Sequence, residues 1–225
     1  VAVLWVVALP TGVVGQGTEE VAREAPPTHY MGREIATTMH WSGAGWLIRA
    51  TREREEAAEL MLSKLGVKAG MTVGDLGCGN GYHALKLAQM VGEGGVVIGV
   101  DIQQEMLDLM MARAHAAGVK NVKPVLAGEK ETNLAPGSCD IVLMVDVYHE
   151  VSWPAEVLAS VKRALKEGGK LVLVEYRLED PEVPIKPVHK MTRAQMDREM
   201  KAGGFKVAGS FDELPWQHMV FYEVE

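Results

Sequence analysis

Cysteine is scarce in this chain: Cys78 and Cys139 are its only two, too few for a disulfide framework and too far apart for a C-x-x-C metal or redox site. Each is expected to be a small packing residue. Basic charge is also short, with 23 Lys and Arg against 30 Asp and Glu for a net charge of −7. No basic stripe could neutralise a run of phosphates, so nucleic acid is not the expected partner. The apolar run V-A-V-L-W-V-V-A-L at 1–9 falls well short of the roughly 20 residues a membrane helix needs. Internal repeats and low-complexity tracts are missing. At 225 residues, 48% apolar and 24% charged, the chain matches one soluble globular domain and leaves no room for a second catalytic one.

Residues 1–15 carry two readings. Pro10, Gly12, Gly15 and Gly17 follow the apolar run, and Val13 and Gly15 could precede a cleavage site, so the segment resembles an export-signal remnant. It equally suits an apolar arm packed on the domain. Residues 16–66 read as a linker with Pro26 and Pro27, followed by one or two amphipathic helices between Gly43 and Gly66. The charge run there, with Arg52 and Glu56 at i,i+4, reads as a solvated face.

From Met71 short apolar runs alternate with helical patterns. Strands are expected at Met71–Leu76, Val96–Val100, Val122–Ala127, Ile141–Val145 and Leu171–Val174, with helices at Tyr82–Val91, Gln104–Ala117 and Pro154–Lys166. A helix at Arg193–Ala202 and strands at Phe205–Phe211 and His218–Val224 suggest an antiparallel hairpin closing the sheet edge. This predicts an α/β fold in which a doubly wound, mostly parallel sheet is covered by helices on both faces.

Ligands of such sheets sit outside the carboxyl ends of the strands. Acidic residues stand at four of those ends: Asp75, Asp101, Asp146 and Glu175. One could be a cap or a solvated loop residue; four on one edge suggest a ligand with hydroxyls, amines or positive charge. Between the first strand and its helix lies Gly77-Cys78-Gly79-Asn80-Gly81, where backbone can approach a ligand closely. A dinucleotide fingerprint G-x-G-x-x-G would place glycine where Tyr82 stands, and a pyrophosphate would sit poorly beside Asp75. D-x-G-x-G-x-G with Asp101 ending the second strand suits a nucleoside whose amino-acid tail carries an ammonium group.

V-G-D-L-G-C-G-N-G at Val73–Gly81 resembles the first motif of class I S-adenosylmethionine-dependent methyltransferases, and the order of later motifs agrees over Glu55–Glu225. The resemblance implies a Rossmann-like seven-stranded sheet, with an S-adenosylmethionine-binding domain over 67–225 and lid helices within 16–66. It implies that Asp75, Gly77 and Gly79 line the methionine moiety, with Cys78 and Gly81 also among the cofactor contacts, and that Asp101 holds the ribose hydroxyls. Ile102 would pack on adenine, and Gly128 with Glu129 would lie near the adenine amino group, a place Glu131 could also fill. C-D-I-V-L-M-V-D-V-Y-H-E at Cys139–Glu150 resembles the fourth strand, whose end faces the transferable methyl group, and Glu167–Glu175 resembles the fifth. M-G-R-E-I-A and L-P-W-Q-H are similar to segments of a bacterial group of small-molecule methyltransferases without an assigned acceptor.

The expected activity is methyl transfer to O, N, S or C of a small molecule. Because the sulfonium methyl is already activated, the main task is to orient the acceptor and exclude water. His149 is the candidate base or orienting group, with Asp146, which also counts among the cofactor contacts, Tyr148 and Glu175 beside it. The same position suits a capping or merely hydrogen-bonded histidine. His29, Tyr30, His40, Trp41 and Trp46 are candidates for the lid or for ordinary packing, and His189 and His218 lie in C-terminal segments of unassigned position. A metal held by Asp146, His149 and Glu175 is disfavoured, because the carboxylates already have cofactor work. A non-catalytic cofactor-binding protein and a nicotinamide oxidoreductase are the competing readings. Cofactor supply favours the cytoplasm.

Overall fold

The computed structural model describes residues 24–225, so the apolar segment 1–15 and its export reading lie outside the described residues. The described chain enters through a two-rung ladder between β1 (His29–Tyr30) and β2 (Arg33–Glu34). A 3-10 helix (Trp41–Ile48), α1 (Arg52–Glu56) and α2 (Ala58–Lys64) follow. The expected one or two amphipathic helices are present as α1 and α2, both short, with the 3-10 helix ahead of them. Ala57 breaks the pattern, since it adopts a left-handed φ of 49° between α1 and α2.

The next elements alternate: β3 (Thr72–Leu76), α3 (Tyr82–Val91), β4 (Val96–Asp101), α4 (Gln104–Ala116) and β5 (Val122–Leu126). Then come β6 (Cys139–Val145), α5 (Pro154–Ala164), β7 (Leu165–Tyr176), α6 (Arg193–Ala202), β8 (Phe205–Phe211) and β9 (Gln217–Val224). The seven long strands form one sheet in the order β5-β4-β3-β6-β7-β9-β8. Pairs from β5 through β7 are parallel; β9 runs antiparallel to both β7 and β8. Strand order reverses between β3 and β6, where an α/β sheet opens a crevice.

Helices cover both faces. Met61, Leu62, Leu87, Val91, Leu107 and Met110 pack α2, α3 and α4 on one side. On the other, Val157, Leu158, Val161, Met196 and Met200 pack α5 and α6. Methionines fill the core on the α4 side, with Met106 and Met110 buried and Met111 half-buried against that core. One strand is longer than its apolar run suggested. β7 begins at Leu165 because its ladder with β6 continues past Gly168-Gly169 through a register shift, pairing Leu165 with Cys139.

The charge run in α1 is not a solvated face. Arg52 is 4% exposed and Glu56 2% exposed. Arg52 Nε donates to Glu56 Oε2 at 2.7 Å, Arg49 Nη2 donates to Glu56 Oε1 at 2.5 Å, and the Tyr176 hydroxyl donates to the same oxygen at 2.9 Å. Burying such charges is tolerated only when they are paired and hydrogen-bonded, and one of the partners, Tyr176, comes from the end of β7, which local sequence does not reveal. No helix among the described residues is long and apolar enough to cross a membrane.

Candidate active site

Outside the carboxyl ends of β3, β4 and β6 lies a cavity of about 570 Å³, within the usual range of about 300–1,000 Å³ for small-molecule sites. Its floor is the loop after β3. Gly77, Gly79 and Gly81 there have φ of 72°, 52° and 79°, the left-handed region that favours glycine. A Cβ on Gly77 would collide with Val147, and one on Gly79 with Leu47. The loop is fastened to β4, because Gly77 and Cys78 N–H donate to the Val100 carbonyl at 2.8 and 3.0 Å. Asp101 completes the fastening by accepting from Gly79 N–H on Oδ2 and from Gln103 N–H on Oδ1, both at 3.0 Å.

Buried carboxyl groups surround this floor. Asp75 is 2% exposed, and its Oδ2 has no hydrogen-bond partner among the described residues. Burial pushes its pKa up to about 7; Asp101 adds to the shift and Arg52 opposes it. Asp146 sits at φ 54° just past β6. Its Oδ2 accepts from Gln217 Nε2 at 2.8 Å, while Oδ1 has no partner among the described residues. Burial, with Glu56 and Glu175 nearby, holds Asp146 well above the ordinary carboxylate range.

A second group gathers past the ends of β6 and β7. His149 Nδ1 lies 2.6 Å from Glu175 Oε2, and its Nε2 lies 3.1 Å from His189 Nδ1. Burial alone would lower the His149 pKa, but the Glu175 carboxylate outweighs it and raises it. Glu150 Oε1 stands 3.8 Å from His149 Nε2 and 3.6 Å from His189 Nδ1. His189 arrives from far along the chain. Residues 177–191 form a loop closed at its neck by a bridge between Arg177 and Met191, which returns the 3-10 turn Pro187–His189 to the end of β7.

The segment before α1 covers the cavity. Gln103 clamps it twice, accepting from Trp41 N–H at 2.8 Å and donating from Nε2 to the Met39 carbonyl at 2.9 Å. Asn80 Nδ2 donates to the Ala44 carbonyl at 2.8 Å, and Met39 N–H donates to Glu150 Oε2 at 3.3 Å. Met39, Trp46 and Leu47 line the cavity as a result. Of the aromatic lid candidates only Trp46 does so. His40 caps the 3-10 helix by accepting from Ser42 N–H, and Trp41 is 39% exposed.

Of the residues singled out from sequence, Trp46, Gly77, Cys78, Gly79, Asp101, Ile102, Gly128, Glu129, Glu131, Asp146 and His189 line the cavity. Ile102 is 48% exposed there, an apolar side chain left open beside Asp101. Asp75, Gly81, Tyr148, His149 and Glu175 do not line it. Tyr148 faces the core between β6 and α5, and Glu175 lies behind His149. Glu131 is tied to Ser160 and Arg163. His218 pairs with Glu179 at 2.9 Å. Sequence reading missed Gln103, Asn80, Arg49 and Glu150, and only the i,i+4 spacing hinted at the Arg52–Glu56 pair.

Comparison with known proteins agrees with this geometry. A family model described as a methyltransferase domain matches residues 67–219. A ubiquinone/menaquinone biosynthesis C-methyltransferase of a Shewanella species (strain ANA-3) is 32% identical over 159 residues, covering 70% of this chain and 59% of that protein. A demethylmenaquinone methyltransferase of Lactococcus lactis is 29% identical over 124 residues, covering 55% of this chain and 48% of that protein. The chain thus spans well under two thirds of these curated relatives. Among solved structures, an S-adenosylmethionine-dependent methyltransferase from Aquifex aeolicus superposes with a TM-score of 0.79 at 26% identity, over 84% of this chain and all of that one. A [4+2]-cyclase at 20% identity and a TM-score of 0.60, over 69% of this chain and 58% of that one, shares the fold alone. Sheet order, the glycine loop with Asp101, and a family match over most of the described chain lead to one assignment: the chain belongs to the methyltransferase-domain family, among the class I S-adenosylmethionine-dependent methyltransferases, with S-adenosylmethionine as cofactor.

Proposed function

We propose that this chain transfers a methyl group from S-adenosylmethionine to a ring-bearing small molecule, with residues 67–225 as the cofactor-binding domain and the stretch within 16–66 as its lid. The observation that carries the reading is a single cavity bounded at one end by the glycine loop with Asp101 and Ile102 and at the other by Glu150 and His189. The residues present fit the cofactor. Asp146, which lines the cavity, keeps Oδ1 as a sequestered acceptor without a partner among the described residues, as an ammonium group requires, and the left-handed Gly77 and Gly79 bring bare backbone to the cavity wall.

In this reading Gly77, Cys78 and Gly79 hold the amino-acid tail, with Asp75 and Gly81 behind them shaping the loop, and Asp101 binds the ribose hydroxyls. Ile102 packs on the base, with Gly128 and Glu129 at its edge. When bound, S-adenosylmethionine supplies a sulfonium methyl group that needs no further activation. The chain's work is then positioning and water exclusion. Met39, Trp46 and Leu47 close the cavity from above. Val147, Val151, Pro184 and Ile185 supply an apolar wall for the acceptor ring. Such a wall also agrees with the quinone-pathway names of the relatives. His149, oriented by Glu175, acts on the acceptor through His189 and Glu150, with Asp146 bordering the methyl position and Tyr148 supporting the strand end from the core.

The test is a screen of phenols, quinols and hydroxylated heterocycles with methyl-labelled S-adenosylmethionine, beside thermal shifts with S-adenosylhomocysteine and NAD. Label in a small molecule together with a shift by S-adenosylhomocysteine supports the proposal. Stabilisation without any label transfer would favour a cofactor-binding protein without turnover, and a shift with NAD alone would overturn the assignment.

A further inference from the structure

The cluster at the acceptor end has the form of a metal centre. Three donor atoms, His149 Nε2, His189 Nδ1 and Glu150 Oε1, lie within 4.8 Å of one another. Their separations are 3.1, 3.8 and 3.6 Å. Ligands bonded at ~2.1 Å to one tetrahedral ion would stand roughly 3.4 Å apart, so the observed edges bracket that spacing. We propose that His149, Glu150 and His189 bind a divalent first-row transition-metal ion whose open coordination face looks into the cavity.

The surroundings of each ligand favour an ion over a chance contact. Glu175 Oε2 accepts from His149 Nδ1–H at 2.6 Å, while Oε1 takes the His149 backbone N–H at 3.3 Å. That fixes the tautomer with a bare Nε2 lone pair aimed at the other two donors, the carboxylate–histidine arrangement that supports metal-bound imidazoles. Glu150 is oriented in the same way. Its Oε2 accepts from Met39 N–H, which leaves Oε1 for the ion. The two imidazole planes meet at 88°, so the rings do not stack and their nitrogens converge.

Two imidazoles and one carboxylate suit zinc, iron, cobalt or manganese; magnesium and calcium prefer all-oxygen sets. Three protein ligands with an open position are typical of catalytic sites, whereas structural ones are closed. Glu150 and His189 line the cavity, so the open face meets the acceptor and not bulk protein. The site is not the set of strand-end residues Asp146, His149 and Glu175, which the sequence already disfavoured. Asp146 is held by Gln217, and Glu175 stands behind His149. Resting on the methyl-transfer reading, the inference narrows the acceptor to molecules that carry a ligating hydroxyl or enol oxygen near the methylated atom, since an ion lowers the pKa of such a group.

Tag-free full-length protein is stripped with a chelator and titrated with Co²⁺, read by visible absorption, and with Zn²⁺ in competition. Magnesium serves as the control. The expected result is one Co²⁺ per chain, displaced by Zn²⁺ but not by Mg²⁺, with affinity reduced at least about tenfold in Glu175→Gln, which orients a ligand without being one. His189→Ala should lose the signal altogether while keeping its thermal shift with S-adenosylhomocysteine. Absence of stoichiometric binding, or unchanged binding in a folded His189→Ala variant, overturns the site. Because the metal signal and the cofactor shift are separate readouts, the site can fail while the methyltransferase reading stands.

Discussion

The two ends of the cavity are built by different means. At the cofactor end a contiguous stretch, Val73–Gly81, lays down backbone conformations that only glycine adopts comfortably, and one carboxylate 22 residues from Gly79 fastens the loop. The acceptor end is assembled from four distant segments: the Met39 backbone N–H and the side chains of His149–Glu150, Glu175 and His189. A site made of local backbone can be read from spacing. A site made of side chains meeting across the fold cannot, because the loop from Arg177 to Met191 closes back on β7 for reasons of packing that periodicity does not carry.

The same division predicts how the molecule responds to change. The largest separation is expected in His149→Ala, which should keep cofactor affinity yet slow methyl transfer by about 10²-fold or more, a loss in the range of general acid–base or Lewis-acid contributions. Single-turnover rates at saturating cofactor, beside equilibrium binding of S-adenosylhomocysteine, check this. A parallel loss of binding and turnover would erase the distinction between the ends.

Asp75→Asn sharpens the comparison from the cofactor side through its pH dependence. The folded-state pKa of about 7 lies above the ordinary 3.8, so the native protein retains a proton that the unfolded chain releases between pH 4 and 7. Stability from this group is therefore full below about pH 4 and is lost as pH rises through about 7. Ligand-free wild type should lose melting temperature from pH 5 to 8 more steeply than Asp75→Asn, and at pH 8 the variant should be the more stable by several degrees, since one unit of pKa corresponds to about 1.4 kcal/mol. Equal slopes in the two proteins would show that Asp75 does not titrate in this range.

The smallest effect is expected at the lid. Gln103→Ala removes two hydrogen bonds, to Met39 and Trp41, each contributing about 1 kcal/mol net. Cofactor should dissociate roughly five- to thirtyfold faster, as stopped-flow measurements would reveal. An unchanged off-rate would mean that the segment before α1 does not hold the cofactor in.

How far the sequence could be read follows the same line. Helix α3 and strand β8 stand where their apolar periodicity put them, because burial on one or both faces of a sheet imposes that period. The antiparallel pairing of β9 with β8 was legible from two apolar runs separated by a short loop. Arg52 and Glu56 misled, because a charged pair looks solvated until Arg49 and Tyr176 are seen to enclose it. His149 was visible as a histidine after a strand end. Its burial behind Glu150 and His189 was not, since neither β6 nor its following turn says what returns from residue 189.

The central claim is that one cavity has a cofactor end anchored by Asp101 and an acceptor end organised by His149. Calorimetric titration of S-adenosylmethionine into wild type, Asp101→Ala and His149→Ala tests it most directly. Two charge-assisted hydrogen bonds to the ribose are at stake at Asp101, at about 1.5–3 kcal/mol each, so binding should weaken by about 10² to 10⁴-fold there and stay within about twofold of wild type in His149→Ala. Retained affinity in a folded Asp101→Ala protein, or equal losses in both variants, would contradict the account.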